Sequence, residues 1–445
     1  MNTDYGNLGP RIGLAYAPTA SLVFRGGYSI MYAHRGATGG RAGARTGTDV
    51  VGFSATPNFV AANPYDPAFY WDHGVPAYQQ PPFFDAGYGA GFNGAASATS
   101  MNYGDPNIGG KPPMYQNWNF TVEHSLPSNA AIGAAYIGSK GNWLGMATNG
   151  GGRGIWSDQL NPAYLALGSL LTQSATPANL PAANRIIPGI GLPYPGFVGS
   201  IAQALRPFPQ YTGINDLWGD VGNSTYNSLQ VYINKKLSHG LSVNFNYTYA
   251  KAFDDTGANM PSGQSYGDRS AYSWGVERAE SPLPRHTVNA FYVYELPFGK
   301  GQKWLRSGAP GYIASGWQVS GIVTYRSGTP IGTIGASSCN VSTVSAGGCF
   351  ATYNPAFTGP VRINGGWGSG NLLGSSPTTF LASSAFFSPT ALGNPYSYVS
   401  APRTGAYGIF NPGTYDADVS LRREFAIVER VKLVLQAMRS TSSTS

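Results

Sequence analysis

The nine residues Leu241–Tyr249 carry the strongest constraint on this chain. Leu241, Val243, Phe245, Tyr247 and Tyr249 are apolar or aromatic, and Ser242, Asn244, Asn246 and Thr248 between them are polar. A β-strand turns successive side chains to opposite faces, so this segment has one greasy and one wet face. The pattern recurs. Trp118, Phe120 and Val122 alternate with Asn119, Thr121 and Glu123. Trp317, Val319, Gly321, Val323 and Tyr325 alternate with Gln318, Ser320, Ile322, Thr324 and Arg326. Tyr415, Ala417, Val419 and Leu421 alternate with Asp416, Asp418, Ser420 and Arg422. Arg285–Leu296 is ambiguous: Val288, Ala290, Tyr292, Tyr294 and Leu296 read as the apolar side, but Phe291 and Val293 opposite them are apolar too.

Together the patterns predict ten strands in five hairpins. The predicted pairs are Arg11–Ala17 with Ser21–Tyr32, Tyr115–Leu126 with Ala130–Ser139, Ser224–Leu237 with Leu241–Phe253, Arg285–Leu296 with Ser315–Tyr325, and Tyr415–Phe425 with Arg430–Gln436. Turns of about five residues join the strands on one side, and irregular stretches of about thirty to ninety residues on the other. Structureless loops beyond about fifteen residues are rare in compact soluble domains. They are expected of an outer-membrane barrel, whose extracellular loops are long and periplasmic turns short. The expected fold is therefore all-β: an antiparallel transmembrane β-barrel portion in the outer membrane of a Gram-negative cell. A multi-domain soluble protein with loop insertions is the alternative.

Composition agrees. Charged residues are 11% of the chain, while Gly is 61, Tyr 29, Phe 21 and Trp 9. Helix formers are scarce, and Gly and Asn interrupt most windows that could coil. No run of eighteen apolar residues exists, so no transmembrane helix is expected. A barrel hides its membrane signal by alternating. Aromatics near strand ends (Tyr28, Tyr32, Trp118, Tyr136, Tyr249, Trp317 and Tyr325) suit two interfacial girdles, although strand propensity alone favours aromatics. The formal charge of +7 is mild for this length, and no basic run of five exists. It is compatible with outer-membrane lipid and acidic lipopolysaccharide as partners, and gives nucleic acid no support.

Candidate chemistry is sparse. Cys339 and Cys349 belong to no CxxC pair and have no nearby His, so a loop disulfide in an oxidising compartment is expected rather than a zinc site, with two free thiols as the alternative. His34, His73, His124, His239 and His286 are scattered, and no HExxH, GxSxG or Walker loop occurs. Gly87–Gly91 follows no predicted strand and opens no helix. Asp254-Asp255 at a strand end could hold calcium, or could be a solvated acidic loop. No catalytic residue, metal site or cofactor is expected, so the chain reads as a non-enzyme. Met1–Pro10 lacks signal-peptide character, which suggests a fragment or a start further upstream.

Several stretches resemble the Oar-like family of TonB-dependent outer-membrane receptors. They are GPRIGLAYAP (Gly9–Pro18), VFRGGYSIMY (Val23–Tyr32), NWNFTVEHSLPSNAAIGAAYIGSKGNWL (Asn117–Leu144), NSTYNSLQVYINKKLSHGLSVNFNYTYAKAFDD (Asn223–Asp255), RHTVNAFYVYELPFGKG (Arg285–Gly301) and GWQVSGIVTYRSGTP (Gly316–Pro330). ADVSLRREF (Ala417–Phe425) matches loosely, and the loops carry no clear match. The resemblance implies a barrel of about 22 strands, of which ten lie here, with an N-terminal plug and a TonB box that this chain lacks. The domain expectation is an incomplete receptor barrel over residues 1–438 and a polar Ser/Thr tail over 439–445. The resemblance also implies ligand capture by surface loops and energised uptake, with the TonB complex as a partner of the full-length protein rather than of this chain. The solute is unidentified, with carbohydrate or peptide suited to stacking on the loop aromatics Tyr65, Tyr70, Trp71, Tyr78 and Trp367. Alternatives are a passive outer-membrane pore and a surface β-rich adhesin or carbohydrate-binding protein.

Overall fold

The structure is a computed structural model. It describes residues 6–33, parts of 59–77, 100–102, 112–144, 155–156, 158–209, 213–216, 222–254, 279–299, 301–330, parts of 352–363, 373–374, 381–387, 408–428 and 431–444.

Ten long strands form one antiparallel sheet: β1 (Arg11–Thr19), β2 (Leu22–Tyr32), β3 (Met114–Leu126), β4 (Ala130–Leu144), β5 (Gly222–Ser238), β6 (Leu241–Asp254), β7 (His286–Glu295), β8 (Trp317–Arg326), β9 (Thr414–Val428) and β10 (Val431–Thr444). Each pairs with its sequence neighbours, and a two-residue strand, Ala279–Glu280, adds to β6. The strands are 9 to 17 residues long. A tilted strand needs about 9–11 residues to cross a hydrocarbon core. The sheet is open: β1 and β10 are its two edges and do not pair with each other.

The register carries the amphipathic pattern from strand to strand. Residues paired across an antiparallel ladder share a face. Starting from Phe245, the pairs Ile233↔Phe245, Ile132↔Ile233, Ala290↔Phe245, Ala290↔Val323 and Val323↔Ala417 stay on one side. Leu14↔Gly26, Gly26↔Phe120 and Phe120↔Tyr136 extend that same side to β1. A one-residue slip would invert this order, so the hydrophobic pattern specifies the register wherever it holds. Two strand glycines are explained by the rings across from them. A Cβ at Gly138 would lie 2.2 Å from the Trp118 ring, and one at Gly133 would lie 2.3 Å from the Tyr232 ring. The aromatic covers the space a side chain would occupy.

The short connections behave as expected. His239 (φ 52°) and Gly240 (φ 76°) form a two-residue turn with both φ positive, the I′ geometry that matches strand twist. The β7–β8 connection differs from a plain turn. It contains a one-turn-plus helix, α3, at Gly308–Ala314. Two further short helices are designated α1 (Leu180–Ile186) and α2 (Ile201–Ala204).

Three expectations are corrected. First, β4 runs to Leu144 rather than Ser139, because β5 begins at Gly222 and supplies ladder partners that far. Second, the Ser/Thr residues expected as a tail continue β10 through Thr444, pairing with β9 as far as Thr414. Backbone ladder bonds need no amphipathic pattern, and the extension departs from it. Arg439 lies opposite Val419 on the apolar side, and Met438 lies opposite Ser420 on the polar side. Third, the stretch from about 140 to 223 is not irregular throughout. Residues 158–209 fold into a module containing a 3-10 segment (Pro162–Thr172), α1 and α2 around a shared apolar core.

Candidate functional site

The sheet offers two chemically distinct surfaces. On the apolar face Ile12, Leu14, Tyr16, Phe120, Tyr136, Leu229, Val419, Leu421, Leu433 and Leu435 are exposed, Leu14 at 72%. Apolar area on this scale, continuous across ten strands, needs an apolar medium against it. On the other face, polar side chains bond one another. Arg25 meets Glu123 at 3.1 Å, and Glu424 meets Lys432 at 2.5 Å. Asn244 donates to Asn234 at 2.5 Å, Asn246 donates to Asn244 at 2.6 Å, and Asn246 lies opposite Asn289. Phe291 and Ile322 are an apolar pair on this polar side, which accounts for the ambiguity of β7.

The rim where the long loops emerge is tied by ionic and aromatic contacts. Arg285 donates to both carboxylate oxygens of the buried Glu280, at 2.7 and 2.6 Å, and its guanidinium stacks 4.2 Å above the Phe410 ring. A bidentate pair of this kind fixes geometry as well as charge. Beside it Tyr247 Oη lies 2.9 Å from His286 Nδ1. Ser281 donates to Asp254 Oδ2 at 2.5 Å. The calcium alternative falls partly outside the described residues, since Asp255 is not among them. Among the described residues no group of three metal-ligating side chains occurs.

The loop aromatics are partly brought together. Trp71 packs edge-on to Phe69 at 5.3 Å, Phe69 likewise meets Phe59 at 5.2 Å, and Tyr70 contacts His73 at 5.8 Å. Trp71 remains 81% exposed and Tyr65 94% exposed. The Tyr65 N–H donates to Asn63 Oδ1 at 2.9 Å. Tyr78, Trp367, Cys339 and Cys349 lie outside the described residues.

Among the described loop residues, the 158–209 module holds a packed apolar core. Leu160, Leu171, Ala183 and Ile201 are fully buried. Pro162 opens its 3-10 segment behind Asn161, whose side chain accepts from the Ala163 N–H. Ser200 caps α2 through the Gln203 N–H. The two ends of the module are closed by buried charges. Asp158 Oδ1 accepts the Phe208 N–H at 2.8 Å, and Asp158 Oδ2 lies 3.4 Å from Arg206 Nη2. Arg206 Nε donates to the Asp158 carbonyl, and its Nη1 donates to Gln203. Burial pushes the Asp158 carboxyl up to about 6, against the pull of Arg206 and of the Phe208 N–H. Burial also lowers the Arg206 guanidinium from its ordinary value. Desolvation outweighs mutual attraction for both partners.

Sequence reasoning did not anticipate Asp158 and Arg206. They are 48 residues apart, joined by the Arg206 side chain on the Asp158 carbonyl, and belong to no motif. The available signal was the leucine-rich run Leu160–Leu171, too apolar for a solvated loop. It also passed over Arg423, which sits on the apolar face between Trp317 and Leu435.

No curated protein matches the chain. Among solved structures, the ferric-catecholate import receptor Fiu from E. coli K12 aligns over 96% of this chain and 29% of its own, with 9% identity and TM-score 0.34. The outer-membrane transporter YddB from Escherichia coli aligns over 94% and 34%, with 8% identity and TM-score 0.33. The alcaligin outer-membrane receptor FauA from Bordetella pertussis aligns over 98% and 36%, with 8% identity and TM-score 0.32. The chain thus spans about a third of the length of these proteins. The family model of the outer membrane beta barrel domain matches residues 1–438, and the chain, an outer-membrane protein by that match and by its two-faced sheet, belongs to that family.

Proposed function

We propose that this chain is the barrel portion of an Oar-like, TonB-dependent receptor, which captures a scarce solute at its long loops and moves it across the outer membrane. The observation that carries this reading is the continuous apolar face of ten register-locked strands, with turns at one end and long loops at the other. The polar face, with its Asn234, Asn244 and Asn246 amides, would line the lumen or meet a plug. Capture falls to the loop aromatics Tyr65, Tyr70 and Trp71 and to the folded 158–209 module, surfaces suited to a carbohydrate or a peptide. Tyr78 and Trp367 belong to the same proposal, as does a Cys339–Cys349 disulfide. Lipopolysaccharide would surround the loop end. The TonB complex would act on the full-length protein through its plug.

Fractionation with a topology test decides the reading. The protein is expected in detergent-extracted outer membranes as a heat-modifiable band. Single cysteines replacing Ser128 and His239 should resist an impermeant thiol reagent in whole cells, while cysteines replacing Asn93 and Ser375 react. Native protein in the aqueous phase would reject the barrel, and the opposite labelling would invert the topology.

A further inference from the structure

The β7–β8 turn is built unlike the other described turns. Phe298 and Trp304 pair across it with rings 5.8 Å apart, and the Gly299 N–H donates to the Trp304 carbonyl at 2.9 Å. α3 then folds back on the turn. A Cβ at Gly311 would lie 2.4 Å from the Leu305 carbonyl oxygen, so only glycine permits this approach.

α3 lies against the apolar face. Arg423 projects from β9 on that face, between Trp317 and Leu435, yet is only 6% exposed. Its guanidinium donates to the carbonyls of Tyr312 (2.6 Å) and Ile313 and stacks 4.0 Å from the Phe425 ring. Trp317 Nε1 also donates to the Ile313 carbonyl, at 2.9 Å. The last carbonyls of α3 thus receive a charge and an indole that would otherwise meet hydrocarbon.

What the turn presents outward is specific. Tyr312 is 72% and Ile313 65% exposed, and Trp304 and Leu305 are about half exposed. Beside them Lys303 and Arg306 are exposed, with Lys303 Nζ 5.3 Å from the Trp304 ring centroid. Between Leu296 and Gly316 there is no Asp or Glu. An aromatic and aliphatic surface flanked only by cations, at the edge of an apolar wall, matches a leaflet of anionic headgroups.

We propose that the Pro297–Gly316 turn is a lipid anchor that binds anionic phospholipid in the periplasmic leaflet. Trp304, Tyr312 and Ile313 would enter the headgroup boundary, with Lys303 and Arg306 on the phosphates. This rests on the reading that the apolar face lies in lipid, and the test separates the two. The full chain is refolded into vesicles containing brominated phosphatidylglycerol or brominated phosphatidylcholine. Trp304 quenching is taken as the difference from Trp304→Phe. A second chain carries Phe245→Cys with a fluorescent label at mid-wall. The expected result is stronger quenching of Trp304 by the anionic lipid, with partition favoured about fivefold per cation. The preference should disappear in Lys303→Gln/Arg306→Gln, while the mid-wall label is quenched equally by both lipids. Equal Trp304 quenching by the two lipids, or a preference that survives the double substitution, overturns the anchor. Absence of Trp304 quenching beside a quenched mid-wall label overturns it too, leaving the wall in lipid. An unquenched mid-wall label defeats the membrane reading itself.

Discussion

The wall and the 158–209 module solve the same problem in opposite ways. In the module Leu160, Leu171 and Ile201 are buried against each other. In the wall Leu14, Phe120 and Leu433 stand exposed. The residue types are alike, and the surrounding medium differs. The module must remove its apolar area from water and does so with its own side chains. The wall delegates that role to hydrocarbon and relies on its backbone ladder, which in lipid must be complete. A loop that folds alone can therefore be rewritten without touching the wall, and a wall position cannot be judged by the rules of a water-soluble core.

The largest effect that tests this contrast is in the module. Leu171→Ala removes a fully buried side chain from its core and should cost about 2–5 kcal/mol, confined to residues 158–209. Hydrogen exchange or limited proteolysis should show those residues opening while the heat-modifiable shift of the barrel stays. Simultaneous loss of the shift would mean that wall and module fold as one unit.

Next comes a charge placed on each face of one strand. Val323→Arg, at mid-wall on the apolar face, should destabilise the inserted sheet by about 2–4 kcal/mol, measured by denaturant titration in vesicles. Thr324→Arg, one residue along and facing Asn289 and Asp416, should be nearly neutral. Equal effects would break the distinction between the faces. Arg439→Leu is the converse, since Arg439 already occupies the apolar face opposite Val419. It should stabilise the sheet.

How much of this could be read beforehand follows from what a strand needs. Alternation at Leu241–Tyr249 and the turn at His239-Gly240 are local signals, and both register and faces came from them. The pattern was silent where pairing alone decides: Arg439–Thr444 joins the ladder because β9 offers it partners. The module was illegible for another reason. Its closure depends on Asp158 meeting Arg206 and Phe208 across the whole segment, and α3 depends on Arg423 more than a hundred residues away. Such contacts leave no period in the sequence. The loop aromatics proposed for ligand contact were legible as residue types only. Trp71 and Tyr65 are exposed, and exposure alone names no ligand.

The smallest effect concerns pH and again separates the two regions. In the folded module the Asp158 carboxyl titrates near 6, against an ordinary value of 3.8. Unfolding therefore releases a proton in that window. A group whose folded value is raised contributes stability that is full below the unfolded value and is lost as pH rises through the folded one. The module should be firmer at pH 4 than at pH 7. Two units correspond to about 3 kcal/mol over the whole window, of which about 1–2 kcal/mol is gained between pH 7 and pH 5. Proteolytic protection of residues 158–209 should rise as pH falls from 7 to 5, and Asp158→Asn should flatten that dependence. If the slope survives the substitution, the proton is held elsewhere. If protection falls on acidification, the attraction of Arg206 prevails over burial, and the module closes on a charged pair.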